Sequence, residues 1–319
     1  INGFGSTLER TGSAPFRFFY ISPTGALTLN DLTLSNGAAA NVAEPLGQFG
    51  GAVLVDGGTL NTNGVNFVNN TAVDGAAVYM ASTFNADQTT FENNTASSDG
   101  GALYISAGDA NITRSAFVNN AAGSGGAIHQ SSAGATLTIT DSSFVANSAT
   151  SGTGGALDLL GGSADILRSL FDTNTADNSG GAVYTELSGL TITNSTFNQN
   201  DSTTGAGAIG GNNADGDLKF VTFFDNSGPS GSFGGDSDTF FNAFGSIFAA
   251  ETVNEPICGA GFAGILTDGY NIATDTSCGF NFDATSLENE PLANLALQPL
   301  ADNGGPTQTI ALGAASTAI

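Results

Sequence analysis

Apolar and polar residues along this chain alternate with period two over short stretches, then slip in phase. Leu190-Thr191-Ile192-Thr193 reads inward, outward, inward, outward, as does Leu137-Thr138-Ile139-Thr140; this is the spacing of half-buried strands. The parity changes before Ser195-Thr196-Phe197, so a bend is expected near Asn194. A second turn is expected at the asparagine that follows, and a third at a Gly-Gly pair ahead of the next short strand. The pattern therefore predicts three short strands and three bends in about 25 residues, the length of one solenoid repeat.

That unit recurs. Gly-Gly-Ala-apolar stands at 50–53, 100–103, 125–128, 154–157 and 180–183, with degenerate copies at 75–78 and 206–209. Phe-x-x-Asn recurs at Phe67, Phe91, Phe117, Phe144, Phe171, Phe197 and Phe223, and an eighth aromatic, Phe248, falls in register. A period outranks any single motif, because each repeat buries its apolar face only against its neighbours. We therefore expect an all-β, right-handed parallel β-helix of about eight to nine rungs, roughly 40 Å long at one strand spacing per rung. Its phenylalanines would stack inward as a spine. Asn70, Asn94, Asn120, Asn147, Asn174, Asn200 and Asn226 would form an amide ladder at a corner, where asparagine tolerates unusual backbone angles. Residues 1–50 read as N-terminal rungs or cap, 51–250 as regular repeats, and 251–319 as a C-terminal cap region.

Composition narrows the function more than the fold. Of 319 residues, 40% are hydrophobic and 45 are glycine, and the formal net charge is −24 with five basic residues. So few cations exclude nucleic acid as a partner, since phosphates require clustered Lys and Arg. Anionic membranes are excluded on the same ground, and no apolar run approaches the ~20 residues of a membrane-spanning helix. Ile1 begins within a strand-like stretch, so the chain reads as a mature or trimmed segment of an exported precursor. Cys258 and Cys278, 20 residues apart, pair as a disulfide in an exported protein and stay free thiols in a cytosolic one.

The combination of Gly-Gly-Ala-[Ile/Leu/Val] with Phe-x-x-Asn resembles the polymorphic-outer-membrane-protein repeat of surface-exposed bacterial β-helices. The stretches 7–37, 246–278 ("SIFAAETVNEPICGAGFAGILTDGYNIATDTSC") and 291–319 ("PLANLALQPLADNGGPTQTIALGAASTAI") are similar to the choice-of-anchor Q family of exported β-helix proteins. These resemblances imply fold and export. They supply no shared catalytic residues.

The candidate chemistry lies in one column, two residues after each repeat alanine: Leu54, Tyr79, Tyr104, His129, Asp158, Tyr184 and Gly210. Its neighbours Ile128 and Leu157 point inward, so the column is expected to face solvent. One reading is a His129–Asp158 dyad flanked by tyrosines that stack on sugar rings. The other is an exterior ladder of cross-strand pairs, which explains the residues without a nucleophile. Arg114, Asp141 and Arg168 read as an alternating-charge ladder rather than as a lyase base, although Arg168 with Asp141 and Asp172 nearby is the arrangement such a lyase would need. Asp215 with Asp217, or Asp236 with Asp238, is a weak calcium candidate without the ligand spacing of a recognised loop. The expected function is a non-enzymatic, extracellular or cell-surface β-helix with a structural or adhesive role, its partner another copy paired head to tail into filaments through the strand at Ile1 and the apolar tail 309–319. The alternative is a secreted polysaccharide-binding or polysaccharide-cleaving β-helix, with surface polysaccharide as partner.

Overall fold

A computed structural model of the chain describes residues 1–40, 46–251, 256–280 and 283–318. The chain winds into a parallel β-solenoid of about 10 turns, slightly more than the phenylalanine register predicts. The additional turns lie where that signature fades. At the start, the strand Ala26–Ser35 runs through the bend unbroken and pairs with both Thr59–Asn63 and Asn66–Val68. At the end, Gly264–Thr267 and Ile272–Ala273 add a rung without a spine phenylalanine. Among the described residues the only helix is the single turn Leu292–Leu295.

A regular rung carries four strands rather than three, as in Leu103–Ile105, Ala110–Thr113, Ala116–Val118 and Ala121–Ala122. The fourth is two residues long, too short for alternation to reveal. Pairing between rungs is parallel and in register, so Phe91 lies over Phe117 and Tyr104 over His129. Rings of the spine stack with centroids 4.4–5.3 Å apart from Phe67 to Phe248. That spacing is the distance between hydrogen-bonded strands; the backbone ladder imposes it and the rings fill it.

Corners are set by residues in the left-handed region. The first glycine of each pair is one: Gly125 has φ 60°, and a Cβ there would lie 2.5 Å from the carbonyl oxygen of Ile128, so a side chain does not fit. The expectation that the ladder asparagines take the unusual angles is corrected. Positive φ falls one residue earlier, at Asn93, Asn119, Ala146 and Thr173, which turns the following asparagine into the rod. There Asn147 Nδ2 donates to Asn174 Oδ1 at 2.9 Å and to Phe117 O at 3.0 Å, while its Oδ1 accepts from Asn120 N and Nδ2 at 3.0 and 2.9 Å. The same bonds repeat along the column. Ser115, Ser142, Ser169 and Ser195, two residues before their phenylalanines, form a second buried ladder, Ser115 N donating to Ser142 Oγ, Ser142 N to Ser169 Oγ and Ser169 N to Ser195 Oγ.

Two polar side chains on the inward column, Gln130 and Thr185, each keep an unpaired oxygen among the described residues. Thr185 Oγ1 is fully buried without a hydrogen-bond partner among the described residues. Leaving a buried hydroxyl unpaired costs about 1–3 kcal/mol, so Thr185→Val is expected to raise stability by about 1 kcal/mol in thermal or urea unfolding. A loss of that size instead would mean the hydroxyl is bonded in solution.

Cys258 and Cys278 are disulfide-bonded, and Phe280 sits fully buried against Phe248 beside them, closing the last rung. The tail does form a strand, Thr309–Leu312, but it pairs antiparallel with Leu297–Ala301. Leu295 packs on Ala249 and Ile272, and Thr307 Oγ1 donates to Arg168 O at 3.3 Å. The hairpin thus lies back along the flank of the rod rather than extending it.

Candidate functional site

The strands Val78–Met80, Leu103–Ile105, Ile128–Gln130, Leu157–Leu160 and Val183–Glu186 bring Tyr79, Tyr104, His129, Asp158 and Tyr184 into one line. The adjacency expected from sequence is present. Phe49, Tyr79, Tyr104 and His129 stack with centroids 4.8–5.0 Å apart, and His129 Nδ1 lies 2.8 Å from Asp158 Oδ2. That contact lacks hydrogen-bond alignment at Nδ1, because Asp158 sits on the next rung, along the stacking axis and off the ring's edge. It is a close contact between neighbours in a stack.

The expectation that this column faces solvent is corrected. His129 is 4% exposed and Asp158 1%, and the tyrosines are half-buried. The side chains do point away from the core, but the glycine corner ahead of each strand folds down over them. A Cβ at Gly125 would lie 3.0 Å from His129 Cα, and one at Gly154 2.8 Å from Asp158 Cα. Thr153 Oγ1, from the same corner, donates to Asp158 Oδ1 at 2.8 Å. An imidazole covered in this way has no room for a substrate beside it.

Electrostatics follow from that cover. Burial pushes the Tyr104 phenol up, partly offset by its bond with Ser131. Burial pushes Tyr184 up to about 12, helped by the carboxylates of Glu186, Asp158 and Asp236. Because the folded state holds the Tyr184 proton more tightly than the unfolded chain, its contribution to stability is complete below pH ~10 and is lost as pH rises through ~12. Absorbance titration of phenolate is expected to show a late-ionising tyrosine that disappears in Tyr184→Phe. Superimposable titrations of the two proteins would refute this.

The remaining candidates resolve into structural pairs. Arg168 bonds both oxygens of Asp141 on the preceding rung at 2.6 and 3.1 Å, and Arg114 likewise reaches back one rung, to Asp87 and away from Asp141; the alternating ladder is two separate pairs. Asp172 accepts from Asn198 Nδ2 at 2.7 Å and is not drawn toward Arg168. Asp217 is held below the usual carboxylate range by Lys219 and Asn242, and Asp236 by Thr239 and the amide of Asn213. Among the described residues no three His, Cys, Asp or Glu side chains gather as a metal site.

Sequence reading did not single out an exposed aromatic cluster on the last rungs, formed by Phe220, Phe240, Phe244 and Tyr270. Its signal was available: columns that are polar for many rungs turn aromatic there. In the column of Phe244, the preceding outward residues are Thr113, Thr140, Leu167, Thr193 and Lys219.

Residues 88–106 and 168–186 match the Chlamydia polymorphic membrane protein repeat. Each match runs from a left-handed corner, through a spine phenylalanine and a ladder asparagine, to the strand after Gly-Gly-Ala. Neither match reaches residues 7–37, 246–278 or 291–319, and the expected likeness of those stretches to choice-of-anchor Q proteins is not confirmed. No curated protein and no solved structure matches the chain. No helix among the described residues is long and apolar enough to cross a membrane.

Proposed function

We propose that this chain is a non-enzymatic, surface-exposed β-solenoid that serves as a structural or adhesive rod. The observation that carries the reading is the burial of its one acid–base pair. His129 and Asp158 are enclosed within a stack that the repeat itself accounts for, and the faces of Tyr79 and Tyr104 are covered within it by Phe49, by each other and by His129. The repeats of the Chlamydia polymorphic membrane protein type and the disulfide both favour an extracellular setting. Calcium has no role in this reading.

Head-to-tail assembly would need strand edges free at both ends. The strand Asn2–Glu9 pairs only with Ala26–Ser35 among the described residues, while Phe280 and the disulfide-held segment close the other end. A discrete rod is therefore the form we favour. Protease treatment of intact producing cells tests the exposure: digestion of the chain without cell lysis is the expected result. Protection until lysis would remove the surface reading.

A further inference from the structure

Three adjacent outward positions recur on three successive strands near the end of the rod. Asp215, Asp217 and Lys219 pair with Phe240, Asn242 and Phe244, and of these Phe240 and Asn242 pair in turn with Gly264 and Leu266. Phe240 is 37% exposed and Leu266 55%. At the adjoining corner Phe220 is 54% exposed and Tyr270 65%. Phe220 meets Phe244 edge to face at 5.3 Å, and Phe244 meets Tyr270 at 5.8 Å.

Backbone preference argues against these aromatics. Phe220 and Tyr270 have φ 56° and 60°, values that bulky side chains adopt at a cost of order 1–3 kcal/mol. The same corner is held on earlier rungs by Gln88, Arg114, Asp141, Arg168 and Asn194, also at positive φ but all of them polar. Exposed rings in strained positions, where the repeat elsewhere uses polar residues, mark a binding surface.

Beside the patch lies a groove of about 230 Å³ lined by Ser163, Asp165, Thr191, Asp215, Asp217 and Asn242, and Asp215 in it is the strand partner of Phe240. Asp217 is fixed there by Lys219 Nζ at 3.0 Å and Asn242 Nδ2 at 3.1 Å. Hydroxyl, amide and carboxylate groups thus repeat along the rod at strand spacing, ~4.8 Å, close to the length of one pyranose unit. Such a row suits an extended polymer rich in hydroxyls better than a compact protein surface. A second copy of this chain is disfavoured, because both carry a net charge of −24 and would meet at an acidic groove.

We propose that this groove and its aromatic end bind a neutral polysaccharide, the rings stacking on sugar faces and Asp217 and Asn242 bonding the hydroxyls. The proposal rests on the adhesive reading above and gives it a ligand class. Affinity electrophoresis of the full chain through gels containing a neutral glucan, mannan, xylan or galactan tests it directly. Retardation by at least one polymer, insensitive to salt, is expected. It should weaken about tenfold or more in Phe220→Asn and Tyr270→Asn, which keep the corner conformation and should fold at least as well as the parent. Tyr184→Phe, on the buried column, should bind as the parent does. No retardation by any of the four polymers overturns the proposal. So does retardation that survives both asparagine substitutions, or loss of thermal stability in them without change in binding, which would make the rings packing only. Salt-sensitive retention would point to a cationic partner and also overturn it. Protease protection on intact cells would remove the surface role while leaving this result standing.

Discussion

Replacing Phe144 by alanine should cost about 3–5 kcal/mol of unfolding free energy, the range for a fully buried phenylalanine. Phe144 is fully buried and stacks on Phe117 at 4.7 Å and Phe171 at 4.9 Å. Its removal therefore opens a cavity bounded by two ring faces that cannot close it, because the strand ladder fixes the rung spacing. In a solenoid, stability is carried by contacts between nearest neighbours. One truncation weakens the interfaces on both sides of its rung. Urea unfolding monitored by circular dichroism gives the readout; a change under about 1 kcal/mol would mean that the spine is not packed as described.

Asn147→Ala is expected to be nearly as damaging, for a different reason. The side chain makes four ladder bonds. Without it, the amide of Asn120 and the carbonyl of Phe117 lose their partners at a fully buried corner. Each orphaned group costs about 1–3 kcal/mol, so a total loss near 3–5 kcal/mol follows. Asn147→Asp separates the two halves of the role. A carboxylate still accepts from Asn120 but cannot donate to Phe117 O, and its charge is buried without a cation. When protonated it donates again. The aspartate variant should therefore regain stability as pH falls through and above the ordinary carboxylate range near 4, while the alanine variant does not. Parallel pH dependence in the two variants would count against the ladder.

Much of this architecture is legible in the residues. Phe-x-x-Asn at a constant step fixes spine and amide ladder together, because register pairing turns a sequence period into a spatial column. The His129–Asp158 adjacency follows from the same rule. What the period does not encode is how a corner folds. The glycines ahead of Ile128 and Leu157 signal a turn, but nothing in their spacing says that the turn closes over the outward column, so His129 reads as exposed when it is covered. The left-handed residue precedes the ladder asparagine for a similar reason: the period fixes which asparagine recurs but not which residue of the corner takes the positive φ, and burying the amide puts it on Asn93, Ala146 or Thr173. The tail fails differently. Thr309–Leu312 has a strand's composition, but its partner is the local segment Leu297–Ala301, and the contact of the preceding Thr307 with Arg168 spans 139 residues of sequence; no periodicity reports such a contact. Phe220, Phe240 and Tyr270 leave no trace in the period because they break the columns rather than repeat them.

Amide hydrogen exchange resolved along the chain tests the central claim most directly. If the rod is one continuous ladder, the amides of Asn94, Asn120, Asn147 and Asn174 should exchange only through global unfolding, and should be the slowest in the molecule. Exchange of these amides at rates near those of unstructured chain, while flanking strands stay protected, would contradict the account.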